Sequence, residues 1–240
     1  MFIRSVKITD LSQCEEYVWN LSAVRQIYQM GELPLDRSVT LLSGENGSGK
    51  STLLEAIAVK YGFNAEGGSL NFSFSTEETH SSLHNYVKLI REAERPKSSF
   101  FLRAETFYNA ASYIGGMDKE VLKAYGGISL HEQSHGESFF SLFMNRFIGH
   151  GFYILDEPEA ALSPSRQMSL MIRMHELAEK GCQFIIATHS PILLAYPDAL
   201  VYELSDDGIT EISYEMTECF QVFKSFMQNP ERMLKHLLGE

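Results

Sequence analysis

The chain has 240 residues, 31 acidic against 20 basic, for a net charge of −11, and 44% of it is apolar. That size suits one large domain, and that composition, with 16 Phe and 11 Tyr, excludes a disordered chain. No apolar run approaches the ~20 residues of a membrane span. The N-terminus, Met1-Phe2-Ile3-Arg4-Ser5-Val6-Lys7, also lacks the apolar core of a secretory signal, so a cytoplasmic location is expected. Cys14, Cys182 and Cys219 are odd in number and without C-x-x-C spacing, which reads as small buried side chains, not a disulfide framework or thiolate zinc site. The acidic balance disfavours broad contact with nucleic-acid phosphates.

In chain order, Phe2 to Ile8 alternates as a half-buried strand does. Ala23 to Met30 reads as a helix stopped by Gly31 and Pro34, and a second strand follows at Ser38 to Ser43. A glycine turn from Gly44 opens a helix from Lys50 to Tyr61, with Leu53, Leu54, Ile57 and Ala58 on one face. Gly62 to Thr79 reads as a hairpin or loop, and a helix is expected around Leu83 to Glu94, closed by Pro96. Ser99 to Arg103 is a strand, and Glu105 to Tyr125 one or two short helices stopped by Gly126-Gly127.

In the second half, Glu137 to Ile148 is an amphipathic helix with Phe139, Phe140, Phe143 and Phe147 on one side, and Phe152 to Leu155 is a buried strand. Ser163 and Pro164 suit the cap and first residue of a helix that Gly181 ends near Lys180. Gln183 to Ala187 is another buried strand. Ala199 to Leu204 and Ile209 to Tyr214 form a terminal pair, and two short helices split by Asn229-Pro230 finish the chain. This alternation predicts one α/β domain over 1–240 with a largely parallel sheet flanked by helices.

Chemistry enters with Gly44-Glu45-Asn46-Gly47-Ser48-Gly49-Lys50-Ser51-Thr52, which satisfies G-x-x-x-x-G-K-S/T. Its glycines let backbone N–H groups face a phosphate at a helix N-terminus. Lys50 would reach the β- and γ-phosphates of ATP, and the Ser51 hydroxyl would ligate Mg²⁺. The apolar strand Phe152 to Leu155 ends in Asp156-Glu157. Asp156 can hold the Mg²⁺ shell while Glu157 orients and deprotonates the attacking water. His189 follows the next apolar strand, placed to donate to a γ-phosphate oxygen.

With Ser134-His135-Gly136-Glu137-Ser138 shortly before Asp156-Glu157, the sequence resembles the ABC-type ATPase superfamily, in the branch of Rad50, SMC, RecF and OLD-type heads. The resemblance implies a P-loop NTPase fold of ABC type with a small antiparallel part and a short helical subdomain, about 105–148. It implies that Ser134, His135, Gly136 and Glu137 act as an LSGGQ-like signature on nucleotide held by a second subunit, giving an ATP-dependent head-to-tail homodimer. Ala160-Ala161-Leu162-Ser163 falls at the family's D-loop, between the subunits. Gly62 to Ser69, Phe100 to Glu105 and Thr188 to Pro197 resemble short stand-alone bacterial ATPases of AAA description.

The chain departs from the family in several places. Between Thr52 and Ser134 the only Gln is Gln133, so the usual Q-loop glutamine is absent or replaced. Glu105 occupies the plausible position, with a plain surface carboxylate as the other reading, and Arg103 is a candidate for a structural salt bridge. Tyr17 and Trp19 are upstream candidates to stack on adenine, with core packing the better reading of both. His131-Glu132-Gln133-Ser134-His135 matches the zinc motif H-E-x-x-H, but the glycines on either side oppose a continuous helix through it. Any downstream ligand would be Glu157 or Glu159. The rival functions are a nucleotide-gated switch that presents a surface to an effector protein such as a nuclease, and a transporter ATPase subunit.

Overall fold

A computed structural model describes residues 1–12, 14–70, 81–105 and 135–239. In chain order the elements are β1 (Ile3–Ile8), α1 (Glu16–Asn20), α2 (Ser22–Met30), β2 (Leu33–Pro34), β3 (Val39–Gly44), α3 (Lys50–Tyr61), β4 (Val87–Arg91) and β5 (Ser98–Arg103). After them come α4 (His135–Arg146), β6 (Gly151–Asp156), α5 (Pro164–Glu179), β7 (Gln183–Ala187), α6 (Pro191–Leu194), β8 (Leu200–Ser205), β9 (Gly208–Glu211), α7 (Glu218–Gln228) and α8 (Pro230–Leu238). Most of the expected helical subdomain, including the helices read from Glu105 to Tyr125, lies outside the described residues.

Two sheets form. The larger has the order β5-β6-β7-β3-β8-β9, parallel throughout except for the antiparallel edge strand β9. The smaller is antiparallel, β2-β1-β4. Every residue of β6 and β7 is buried, as is all of β3 up to Ser43. Apolar runs covered by helices on both faces have this pattern. One core cluster packs α3, α2 and the antiparallel sheet on one face through Leu53, Leu54, Ile57, Val24 and Val6. The other packs α4 and α5 on the opposite face, with Phe147 stacked on Tyr153 at 4.0 Å and tilted against Phe143 at 4.6 Å. Phe139, Phe143 and Phe147 are buried as the helical spacing of α4 requires, and Phe140 partly so.

The structure corrects several local expectations. The segment read as a helix from Leu83 to Glu94 is a single 3-10 turn, Ser82–Asn85, followed by β4. Leu83, Val87 and Ile90 have helical spacing, but Val87 and Leu89 also have strand spacing, and β1 supplies the deciding backbone partner along Val6↔Leu89 and Ile8↔Val87. Tyr17 and Trp19 are not core residues. They are 43% and 46% exposed on α1, and the Tyr17 hydroxyl bonds Ser81 Oγ at 2.8 Å. Ser163 precedes α5 in extended backbone but makes no side-chain cap bond. Cys182 is buried as expected, whereas Cys14 and Cys219 are only partly so. Among the described residues no helix is long and apolar enough to cross a membrane.

One buried amide joins the two sheets. Gln183, at the start of β7, accepts from Phe2 N–H at 2.8 Å and Ile3 N–H at 2.9 Å through Oε1. Its Nε2 donates to Ile3 O at 2.7 Å and Leu35 O at 3.1 Å. Removing one partner from a buried hydrogen bond costs about 1–3 kcal/mol per group left unpaired. Gln183→Leu is therefore expected to destabilise the protein by at least about 3 kcal/mol in urea unfolding; a loss under about 1 kcal/mol would show that the amide does not hold the sheets together.

Candidate functional site at the carboxyl edge of the parallel sheet

In parallel register, adjacent strands end on the same edge. Leu42 of β3 pairs with Ala187 of β7, and Ala187 with Asp156 of β6. Asp156 in turn pairs with Arg103 of β5. The turns beyond the strands extend this pattern: Thr188 N–H donates to Leu42 O at 3.0 Å and Glu157 N–H to Ala187 O at 2.9 Å. Three segments far apart in sequence, 44–52, 156–159 and 187–190, thus meet where ligands bind in open α/β sheets.

The loop between β3 and α3 has a backbone that only glycine accepts easily. Gly44 has φ 135°, and a Cβ there would lie 2.1 Å from Leu204 O. Gly49 is left-handed at φ 93° and caps α3. The first N–H groups of α3 have no acceptor within the helix. Lys50, the first residue of α3, is buried, and its Nζ donates to Gly44 O and Glu45 O at 2.8 Å each. Burial lowers the Lys50 pKa, and the charges of Glu157, Asp156 and Glu159 oppose that shift.

Next on the same helix, Ser51 Oγ donates to Asp156 Oδ1 at 2.9 Å. The other oxygen, Oδ2, faces Arg103 Nε at 3.3 Å. Arg103 also donates from Nη1 to Glu55 Oε2 at 2.7 Å and lies 4.0 Å from Glu105. Ser51 and Glu55 are four residues apart and share a helix face, which is why one guanidinium on β5 spans Glu55 and Asp156. The structural salt bridge considered for Arg103 thus exists. Burial pushes the Asp156 carboxyl above its ordinary range, while the Arg103 charge and the Ser51 hydroxyl pull it back. A hydroxyl and one carboxylate oxygen, both hard donors and already side by side, fit the partial protein ligation that Mg²⁺ accepts.

Glu157 leaves β6 in the left-handed region, φ 49°, ψ 51°, a conformation that costs a non-glycine residue about 1–3 kcal/mol and so marks a held geometry. Its carboxylate is 43% exposed and lies 3.7 Å from His189 Nε2. That ring nitrogen has no hydrogen-bond partner among the described residues. Burial, with help from the Lys50 charge, pushes the His189 pKa below its ordinary value, against the pull of Glu157. The burial thus favours the neutral form of the imidazole.

The remaining expected residues are placed less closely. Glu105 ends the turn after β5, 85% exposed. His135 and Gly136 open α4, and Glu137 in its first turn is 3.6 Å from Arg166 of α5. Ser134 lies outside the described residues, as do His131, Glu132 and Gln133 of the zinc motif, whose would-be downstream ligands Glu157 and Glu159 both approach His189. The buried carboxylate Glu55 is absent from the sequence analysis, and the half-buried Glu159 enters it only as a would-be zinc ligand. The helical i, i+4 spacing from Ser51 was a signal for Glu55. For Glu159 the signal was only its place in an acidic run.

Residues 123–195 match a family model described as "AAA domain, putative AbiEii toxin, Type IV TA system", and residues 20–125 match one described as "AAA domain". The chain is 25% identical over 154 residues to the chromosome partition protein Smc of Methanocaldococcus jannaschii, covering 53% of this chain and 13% of that protein. It is 27% identical over 172 residues to the ribose import ATP-binding protein RbsA of Lacticaseibacillus paracasei, covering 63% of this chain and 34% of that protein. It thus spans well under half the length of these curated relatives. In structure it is similar to cbiO1 from Clostridium perfringens, part of the ABC transporter complex cbiONQ, with a TM-score of 0.51 and 17% identity over 100% of this chain and 99% of that one. The fold is that of the ABC-type ATPases, and in sequence the chain resembles P-loop ATPases of the ABC and SMC-like kind.

The contact between Glu157 and His189 makes a spectroscopic prediction. The His189 ring is expected to titrate below the ordinary histidine value of about 6.5, and Glu157→Gln, which removes the one charge that favours its protonation, should move the midpoint lower still. An NMR titration in which the variant's midpoint rises would contradict this placement.

Proposed function

We propose that this chain, with its ABC-type ATPase fold, binds ATP with Mg²⁺ at the loop 44–52 and hydrolyses it, and that two copies engage head to tail around the nucleotides. The observation that carries the reading is the Ser51–Asp156 hydrogen bond of 2.9 Å, which joins residues 105 positions apart at the mouth of the glycine loop. Bound Mg²⁺ supplies neutralisation of phosphate charge. The chain's own residues do the rest. The loop amides and Lys50 take the phosphates, and Ser51 and Asp156 hold the metal. Glu157, held out of the strand by its left-handed backbone, takes the proton from the attacking water. Neutral His189, in its Nε2–H tautomer, donates to an oxygen of the terminal phosphate.

The head-to-tail arrangement rests on the resemblance of Ser134 to Glu137 to the family signature, with Glu137 exposed at the start of α4. A second reading is a nucleotide-gated switch with little turnover that controls a partner effector. The acidic chain disfavours DNA as the direct partner in either case.

Lys50→Ala should abolish binding of a fluorescent ATP analogue. Glu157→Gln should keep that binding, lose turnover by on the order of a hundredfold or more, and elute as a dimer at saturating ATP. A Glu157→Gln protein that stays monomeric removes the head-to-tail arrangement. A parent protein that turns over no faster than Glu157→Gln selects the switch.

A further inference from the structure

Both backbone polar groups of His189 are held by side chains. Its N–H donates to Glu159 Oε1, and its C=O accepts from Cys219 Sγ of α7 at 2.7 Å. Glu159 is also favoured in its charged form by the neighbouring Thr188 side chain. It belongs to the 3-10 turn Pro158–Ala161 that comes after Glu157, so one carboxylate ties the turn after β6 to the turn after β7. A second bridge runs beside it. Gln167 of α5 donates from Nε2 to Leu162 O at 2.9 Å, and its Oε1 accepts from Ser190 Oγ at 2.6 Å. Ser190 in turn caps α6 by accepting from Ile192 and Leu193 N–H at 3.2 Å.

Burial pushes the Glu159 carboxyl above its ordinary range, and the His189 N–H opposes that shift. A desolvated carboxylate is a costly way to fill space, and an apolar side chain of similar volume is often the more stable choice. What the carboxylate adds is direction. It sets the peptide plane from which the His189 ring reaches toward Glu157, with Nε2 left without a hydrogen-bond partner among the described residues.

We propose that Glu159 is the positioning residue for His189, and that through it the segment 158–162 and the imidazole shift as one body. The proposal rests on the reading of His189 as the group that meets the terminal phosphate.

The test uses the full chain with Glu159→Ala, which leaves the His189 N–H without its acceptor, and Glu159→Gln, whose amide carbonyl still accepts it. In ¹⁵N-histidine-labelled protein, the His189 amide resonance is assigned by its loss in His189→Gln. It should move upfield in Glu159→Gln and further in Glu159→Ala, because a charged acceptor gives way to a neutral one and then to none. In ATPase assays, Glu159→Ala should lose kcat on the order of tenfold, the cost of a small misplacement, with KM little changed, and Glu159→Gln should recover most of it. An unmoved amide resonance, or equal kcat losses in the two variants, overturns the proposal. If Glu159→Ala does not fold, the resonance and kcat of Glu159→Gln decide. Should the parent hydrolyse no ATP, the reading of the site fails separately, and the amide resonance alone still decides the role of Glu159.

Discussion

The site depends on the parallel register of β5, β6, β7 and β3. Strands that run the same way and pair without a shift end on one edge, so the turns that leave them gather in one place. Asp156 stands opposite both Ala187 and Arg103, and Leu42 opposite Ala187. A one-residue slip of β6 against β7 would turn Asp156 to the other face of the sheet and part it from Ser51. The register is in turn secured by burial on both faces, and Gln183 pins the opposite end of β7 to the antiparallel sheet with four hydrogen bonds.

Charge is then arranged locally against the character of the chain. The net charge is −11, yet the carboxyl edge of the sheet holds charges of both signs: Lys50 beside Asp156, Glu157 and Glu159, and Arg103 between Glu55 and Asp156. In a low-dielectric setting such groups persist only when each has a partner of opposite sign or a hydrogen bond. The arrangement gathers cations among carboxylates at one edge of the sheet of an acidic protein, as the proposed binding of ATP with Mg²⁺ requires. It also explains why Lys50 keeps two carbonyl acceptors within the loop, and why Asp156 offers one oxygen to Ser51 and the other to Arg103.

Much of this was legible in the linear sequence. The glycine loop, the apolar run ending in Asp156-Glu157 and the second run ending before His189 are local patterns with local causes, and α3 and β7 have the bounds expected of them. Leu83 to Glu94 was misread because Leu83, Val87, Leu89 and Ile90 satisfy helical and strand spacing alike, and only pairing with β1 separates the two. Tyr17 and Trp19 were read as core because aromatic side chains usually are; α1 instead carries them on its solvent side, and Val18 between them goes inward. In the sequence, Glu159 stands out only as a would-be zinc ligand. Its meaning comes from His189, thirty positions away, a distance over which no periodicity carries information.

By itself, the sequence determined which groups could do phosphate chemistry and, outside ambiguous runs such as Leu83 to Glu94, which segments would be strand or helix, because those depend on residue types and spacings within a few turns of the chain. Only the tertiary structure decided which oxygen of Asp156 meets Ser51 and which meets Arg103, that Glu55 shares the guanidinium, and that the peptide of His189 hangs from Glu159. Those are contacts between segments brought together by strand register and helix packing. Their geometry is set by the whole fold, because a buried charge must find its partner wherever the packed chain places it.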